Sequence, residues 1–149
     1  MFRRGVRVAT KVIDLWVLLG ALVLASVVGL LLRARNGRVR RAAAGEAVAV
    51  PAEVRSLLPV GARVTLLQVS TTFCAPCRQA RVLLGSLAES TDGLEHVDLD
   101  VTDRPELAER LRVLRTPTTL AVDNTGRELL RIGGVPHGPL LVEALRPYL

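Results

Sequence analysis

Cysteine is scarce in this chain of 149 residues. Only Cys74 and Cys77 occur, three positions apart. A small secreted fold held together by disulfides normally needs four or more cysteines at wider spacings. That class of protein is therefore excluded. The stability of the fold must come from its core, and the pair is available for chemistry.

Histidine is equally scarce, which limits the metal sites that the chain can build. A closed structural zinc site takes four ligands, and besides the cysteines the chain offers only His96 and His137. These two are not a closely spaced pair, and His96 falls on a strand pattern. A surface or packing role is the default for both histidines, and a zinc half-site or an inert buried pair are the alternatives for the cysteines. We predict no metal and, without a nucleotide or flavin signature, no cofactor.

The larger part of the chain also lacks an excess of positive charge, although the net charge is +6. Residues 1–45 hold nine basic groups and one acid, a charge of +8, whereas residues 46–149 hold eleven arginines and thirteen acids, a charge of −2. A domain that binds nucleic acid carries its own basic face. We therefore predict no nucleic-acid partner.

One long segment lacks charge altogether, from Leu15 to Leu32. With Val12 and Ile13 it nearly spans a hydrocarbon core of about 30 Å, and basic residues close both ends, with Trp16 at an interfacial position. This pattern predicts a single-pass membrane protein that contacts lipid. The predicted division is a basic arm at 1–11, a transmembrane helix at 12–32, a basic juxtamembrane linker at 33–50 and one folded domain at 51–149.

Two other interpretations of the apolar segment stay open. A cleavable signal peptide fits the basic start and the small residues 42–44, but the apolar run exceeds about 15 residues and five arginines precede those alanines. A buried helix of a globular core fits less well with arginines on both flanks. Four basic residues before the helix and five after it do not decide the orientation. Their clustering slightly favours a cytoplasmic domain, and an extracytoplasmic one is nearly as well supported.

From Pro51 onward the sequence alternates between strand and helix patterns. A run of β-branched and apolar residues at 63–70 is typical of a buried central strand, and it leads directly into the cysteines. The expected elements are a short helix after Pro51, strands at 63–70 and 94–101, helices at 79–89 and 105–113, two strands at 116–123 and 127–132 joined by a turn, and a closing helix at 139–145.

The cysteines lie between the first of these strands and its helix. Cys74, at the helix entrance, lies near unsatisfied N–H groups and the positive end of the helix dipole, which stabilise the reactive thiolate. We predict Cys74 as the nucleophile and Cys77, one turn further on, as the resolving thiol, within disulfide reach of it. Pro76 fits the first helical turn, where its missing N–H costs nothing, and Arg78 adds positive charge nearby.

Four features together resemble a known family. They are the Phe-Cys-Ala-Pro-Cys-Arg run at 73–78, the Val-Asp-Leu-Asp strand at 97–100, Thr116-Pro117-Thr118, and Gly133-Gly134. From about Ala62 to Leu145 the chain resembles the thioredoxin family. The resemblance implies an α/β, thioredoxin-like fold with a central mixed sheet and flanking helices.

The resemblance also implies an activity, that of a thiol-disulfide oxidoreductase. Its partners would be protein disulfides or dithiols as substrates and another dithiol protein as the upstream donor. The alternative from another class is a non-catalytic binding or redox-sensing module with the same fold. In such a fold the Thr116–Pro117 bond is cis and faces the cysteines, and the backbone of Thr116 offers hydrogen bonds to an extended substrate. An ordinary trans proline at a strand start is the other interpretation of Pro117.

The chain departs from the family pattern near the cysteines. Gln68 stands where many thioredoxins carry a buried aspartate that aids proton transfer at the buried thiol, and glutamine cannot titrate. Phe73 replaces the usual tryptophan, and Ala75 replaces a glycine. Asp98 and Asp100 are candidate substitutes for the missing aspartate, although a solvated acid or one at a strand end is the default for both.

Overall fold

The computed structural model describes residues 3–35, 37, 39–41 and 49–149 of the chain. They belong to two compact units, Met1–Arg35 and Asn36–Leu149. The first unit is a single helix, α1, at Arg3–Arg35, and the described side chains at 15–31 are all exposed.

The predicted membrane segment at 12–32 lies inside α1, as does the predicted arm from Arg3 onward. In the part of the chain that the structure describes, no helix has the length and apolar character needed to cross a membrane. The prediction of a transmembrane helix is therefore not confirmed.

The second unit contains five strands and four helices in its described residues, followed by a short 3₁₀ turn. The elements are β1 at Val39–Arg41, α2 at Ala52–Arg55, β2 at Val64–Ser70, α3 at Ala75–Glu89, β3 at Leu94–Asp100, α4 at Pro105–Arg110, β4 at Thr118–Asp123, β5 at Glu128–Gly133, α5 at Gly138–Leu145 and the 3₁₀ turn at Arg146–Tyr148.

From β2 onward the elements follow the order predicted from the sequence, with most boundaries within two residues of the prediction and two larger shifts. Helix α3 begins at Ala75 rather than at 79, because Cys74 caps it and Pro76 fits its first turn. Helix α4 ends at Arg110 rather than at 113, because Arg112 takes a left-handed backbone conformation with φ 51°.

The strands form one mixed sheet in the order β1-β5-β4-β2-β3. Strands β2 and β3 are parallel, as a connection through helix α3 requires, and the other three pairings are antiparallel. The predicted thioredoxin-like α/β architecture with a mixed sheet is confirmed.

Both faces of the sheet are covered, so β2 is buried along its whole length. Successive side chains of a strand point to opposite faces, which gives the sheet two apolar layers. One layer joins Leu66 and Leu130 to Leu84 of α3 and Leu141 of α5. The other contains Leu67, Val69 and Leu120 with Val54 of α2 and Leu107 of α4.

Strand β1 lies within the segment predicted as a linker at 33–50. It pairs antiparallel with β5, with Val39 opposite Ile132, and the Gly37 amide donates a hydrogen bond to the Gly133 carbonyl at 2.9 Å. Residues 42–48 of that segment lie outside the described residues. Since β5 and β2 are both antiparallel to β4, Gly133 and Gly37 lie at the end of the sheet where β2 ends.

Candidate functional site

The two cysteines form a disulfide at the junction of β2 and α3. Cys74 is the N-cap residue of α3, and its sulfur accepts a hydrogen bond from the Cys77 amide at 3.2 Å. The predicted position, with a cysteine at the helix entrance and the second one turn further on, is confirmed.

The two sulfur-bearing residues differ in their exposure. Cys74 is half-buried, whereas Cys77 is 1% exposed. In the reduced state the Cys77 amide and the helix dipole would stabilise a thiolate on Cys74. An incoming disulfide can therefore reach Cys74, and Cys77 is shielded from solvent.

The surface beside Cys74 is open and partly apolar. Phe73 is 96% exposed, and Ala75 and Pro76 are exposed as well. Pro76 lies in the first turn of α3, as predicted, and Arg78 is exposed in the same turn. An exposed aromatic side chain next to a reactive sulfur offers apolar contact area to a docking polypeptide.

The Thr116–Pro117 peptide bond is cis, which confirms the prediction for this proline. The loop precedes β4, the neighbour of β2, so it reaches the same end of the sheet as the cysteines. The hydroxyl oxygens of Thr116 and of Thr71, which follows β2, are 3.4 Å apart and share a hydrogen bond. The amide of Gly134 donates to the Pro117 carbonyl at 2.7 Å. The cysteine segment, the cis-proline loop and the glycine pair therefore lie at the same end of the sheet.

Gln68 lies beneath the cysteines and is fully buried. Its side-chain amide nitrogen donates a hydrogen bond to the carbonyl oxygen of Cys77 at 2.9 Å. The sequence indicated that Gln68 replaces a titratable residue, but it did not reveal this bond. Gln68 thus fixes the backbone that carries the second cysteine.

Asp98 and Asp100 have different surroundings. Hydrogen bonds from Thr102, and a weaker contribution from Thr72, lower the pKa of the exposed Asp100 carboxyl, so it is a carboxylate at the end of β3, as expected by default. Asp98 is only 21% exposed and forms an ion pair with Arg81 of α3. Its neighbour His96 has a lowered pKa, chiefly because it is partly buried.

Arg115 was not singled out from the sequence, although it precedes the cis bond. Its guanidinium packs on Gly133, where a Cβ atom would lie 2.9 Å from Nη2, and donates to the Gly133 carbonyl at 3.4 Å. The only signal in the sequence was the glycine pair at 133–134. Within the described residues, no three histidine, cysteine or acidic side chains form a metal-binding group.

Comparisons with known proteins found relatives in sequence and in fold. No family model matches the chain. Over 78 residues, which are 52% of this chain, it is 31% identical to thioredoxin H5 of Oryza sativa subsp. japonica and 29% identical to thioredoxin H2 of Arabidopsis thaliana. The chain spans 57% and 58% of the length of these two curated relatives. The X-ray structure of Fasciola hepatica thioredoxin matches 66% of this chain and 93% of its own, with a TM-score of 0.55 and 23% identity, a likeness in fold.

Proposed function

We propose that this chain, a member of the thioredoxin family, is a thiol-disulfide oxidoreductase that exchanges its Cys74–Cys77 pair with disulfides of client proteins. The observation that carries the proposal is the asymmetry of the pair. A half-buried sulfur caps a helix, and its disulfide partner one turn further on is buried. Such an arrangement suits a nucleophile that clients can reach and a resolving thiol that they cannot.

In the reducing direction, the Cys74 thiolate attacks one sulfur of a client disulfide. A mixed disulfide forms, and the other client sulfur leaves as a thiolate that takes a proton from water. Cys77 then loses its proton and attacks the Cys74 sulfur, which breaks the bond to the client and closes the Cys74–Cys77 disulfide. The client gains two electrons and two protons, and an upstream dithiol protein reduces the pair again by the same exchange. The opposite direction is the reverse reaction, and the redox poise of the compartment selects between them.

The Thr116–Pro117 loop and Phe73 support the binding of an extended client segment. The loop lies at the cysteine end of the sheet and presents half-buried Thr116 beside buried Pro117. Backbone hydrogen bonds at Thr116 would align the client as an added strand, and Phe73 would contact an apolar client side chain. Recognition of this kind is tolerant of sequence, as a general exchanger of protein disulfides requires.

A trapping experiment with the full chain tests the proposal. Cys77→Ser removes the resolving thiol, so the variant should accumulate a mixed disulfide through Cys74 when incubated with a disulfide-bonded protein such as insulin. Cys74→Ser is the matched control, and it should trap no client and reduce no insulin. If the reduced wild-type chain exchanges with neither insulin nor a dithiol buffer, the oxidoreductase proposal fails. The alternative, a non-catalytic binding or redox-sensing module, would then take its place.

We also propose, from the sequence pattern, that residues 12–32 attach the chain to a membrane. The exposed apolar side chains at 15–31 of α1 support attachment to lipid. After cell fractionation, the chain should sediment with membranes and resist extraction at alkaline pH, and replacing Leu18, Leu22 and Val23 by serine should release it. Recovery of the wild-type chain in the soluble fraction would refute the proposal. Impermeant labelling of a cysteine added after Leu149, in a chain with both native cysteines replaced by serine, would report the side, for which a cytoplasmic domain is slightly favoured.

A further inference from the structure

Five buried side-chain polar atoms in the described residues have no hydrogen-bond partner in the protein. They are Gln68 Oε1, Ser70 Oγ, His96 Nε2, Asp98 Oδ1 and Thr119 Oγ1. The strand register places all five residues on one face of the sheet, because Gln68 pairs with both Asp98 and Thr119, and residues two apart on a strand share a face. This is the face that α3 covers, and a Cβ atom on Gly85 of α3 would lie 4.0 Å from His96 Nδ1. We call these five residues the polar row.

Buried polar atoms are normally satisfied, by protein groups or by bound water. The unpartnered atoms of the polar row lie on one face, and two of their residues, Gln68 and Thr119, are fully buried. This arrangement is consistent with water bound between the polar side chains. The row begins directly beneath the resolving cysteine, since the other end of the Gln68 amide is bonded to the Cys77 carbonyl.

Two residues of α3 contact two neighbouring residues of the polar row, one on β2 and one on β3. Cys77 and Arg81 are four positions apart on α3, so they lie on the same side of the helix, about one turn from each other. Gln68 and Asp98 are neighbours on adjacent parallel strands, about 5 Å apart. Cys77 contacts Gln68, and Arg81 contacts Asp98 Oδ2. Oδ1, the second oxygen of Asp98, is buried and has no hydrogen-bond partner in the protein.

Resolution of the mixed disulfide requires Cys77 to lose a proton in a buried position. Gln68 cannot accept it, because an amide does not titrate near neutral pH. A carboxylate can, and Asp98 supplies one on the neighbouring strand. We propose that Asp98 accepts the proton of Cys77 through water held by Gln68. The S–H bond breaks, its electron pair stays on sulfur for the attack on Cys74, and Asp98 passes the proton to solvent through its exposed side.

Among the described residues, the charged and titratable groups that interact with Asp98 are Arg81 from α3 and His96 from its own strand. Arg81 forms an ion pair with Asp98, and His96 interacts electrostatically with both. Arg81 pairs with Oδ2, so Oδ1 is the carboxylate oxygen that is left to accept the proton. Gln68 acts as a positioning residue that carries the water. The inference rests on the proposed oxidoreductase function.

The test isolates the resolving step in the full-length chain. Reduced protein reacts with dithiobis(nitrobenzoate): Cys74 releases a first thionitrobenzoate, and attack by Cys77 releases a second, whose rate is followed by stopped-flow absorbance from pH 5 to 10. Asp98→Asn should slow the second release about tenfold or more at pH 7, within the usual range of general-base effects. The rates should converge with the wild type above about pH 9, where a thiol ionises without help.

Two variants separate proton transfer from loss of packing. Arg81→Gln breaks the same ion pair but keeps the carboxylate, so it should retain the second release within about threefold of the wild type. Gln68→Met keeps a similar volume and leaves Asp98 in place, but it removes the amide that holds the water. It should reproduce the pH-dependent loss, and it also serves if Asp98→Asn does not fold. Rescue of Asp98→Asn by Gln68→Glu would support the route further.

The outcomes are distinguishable from those for the proposed function. If the wild-type chain releases no thionitrobenzoate, the oxidoreductase proposal itself fails. If it releases both and the folded Asp98→Asn or Gln68→Met variant keeps the wild-type pH profile, the proton route is wrong. A loss of equal size at every pH, or an equal loss in Arg81→Gln, would also refute it, because it would assign the effect to the ion pair.

Discussion

Replacing Gly37 by alanine should detach β1 from the sheet. Gly37 has φ +76°, a left-handed conformation that costs an L-residue about 1–2 kcal/mol. In addition, a Cβ atom on Gly37 would lie 2.5 Å from the carbonyl oxygen of Val135. An ordinary contact is about 3.5 Å, so the backbone must move by about 1 Å. That movement breaks the hydrogen bond from Gly37 to Gly133, whose net contribution is about 1 kcal/mol.

Gly61 offers a matched control for this substitution. It has φ +93°, but no atom lies within 4 Å of the position of its missing Cβ. Gly61→Ala therefore measures the conformational cost alone, about 1–2 kcal/mol of unfolding free energy. Gly37→Ala adds the steric overlap and the lost hydrogen bond, and should cost about 2–3 kcal/mol, limited by what the docking of β1 contributes.

Urea unfolding and hydrogen exchange would measure these effects. In Gly37→Ala, the amides of β1 should lose protection while those of the central strands β2 and β4 keep theirs, because local opening of an edge strand leaves the core intact. In Gly61→Ala, β1 should stay protected. Equal destabilisation by both substitutions, with β1 protected in both, would refute the argument from the Val135 contact.

Three further predictions concern charged side chains. Arg131→Met removes the hydrogen bonds to Glu128 and to the carbonyls of Leu111 and Arg112, and it leaves the Glu128 carboxylate buried without its partner. Denaturant unfolding should show that the free energy of unfolding falls by about 3 kcal/mol, and Glu128→Gln should lower it less. Burial raises the pKa of Asp123, but hydrogen bonds from Thr125 and Arg127 outweigh it, so the net pKa lies below 3.8. Folding stability should therefore fall as the pH drops below 3.8, and thermal melts of Asp123→Asn should show a flatter decline with pH than those of the wild type. Burial lowers the pKa of His96, so below about pH 6.5 the unfolded state binds more protons than the folded state. The free energy of unfolding should therefore fall as the pH drops below that value, and His96→Gln should remove this dependence between about pH 7 and 5.

Each of these predictions has a result that would contradict it. The first would be contradicted if Arg131→Met had a free energy of unfolding equal to or above that of Glu128→Gln. Asp123→Asn would have to keep the full acid dependence, or His96→Gln would have to keep the slope near pH 6.

The elements from β2 onward were predictable because each has a local signal. The apolar run at 63–70 predicted a strand buried on both faces, and all seven residues of β2 are buried. The turn at 124–126 joins β4 to β5 as expected, with Gly126 at φ +81°. The largest errors were at the start of α3 and the end of α4, where a cap or a single left-handed residue decides the boundary.

Strand β1 had no such signal. Two of its three residues are arginines, and its neighbours suggested a basic linker next to lipid. What makes it a strand is the open edge of β5, which can pair with any extended segment that reaches it. Gly37 is buried against Val135, where there is no room for a side chain, so a glycine at this position lets the chain reach that edge. Both conditions depend on tertiary contacts that the local sequence does not contain.

The same distinction explains what could be predicted of the site. The pairing of Cys74 with Cys77 follows from a spacing of three residues, and the sequence indicated that Gln68 cannot do the work of an aspartate. Which carboxylate could replace it was open, because Asp98 and Asp100 are two positions apart on one strand and share a face. The register decides between them. Asp98 lies beside Gln68, whereas Asp100 lies beside Ser70 at the end of the strand, where threonine hydroxyls donate hydrogen bonds to it. A shift of two residues in the pairing of β2 with β3 would place Asp100, instead of Asp98, beside Gln68. The proton route therefore depends on a parallel register that no pattern within either strand specifies.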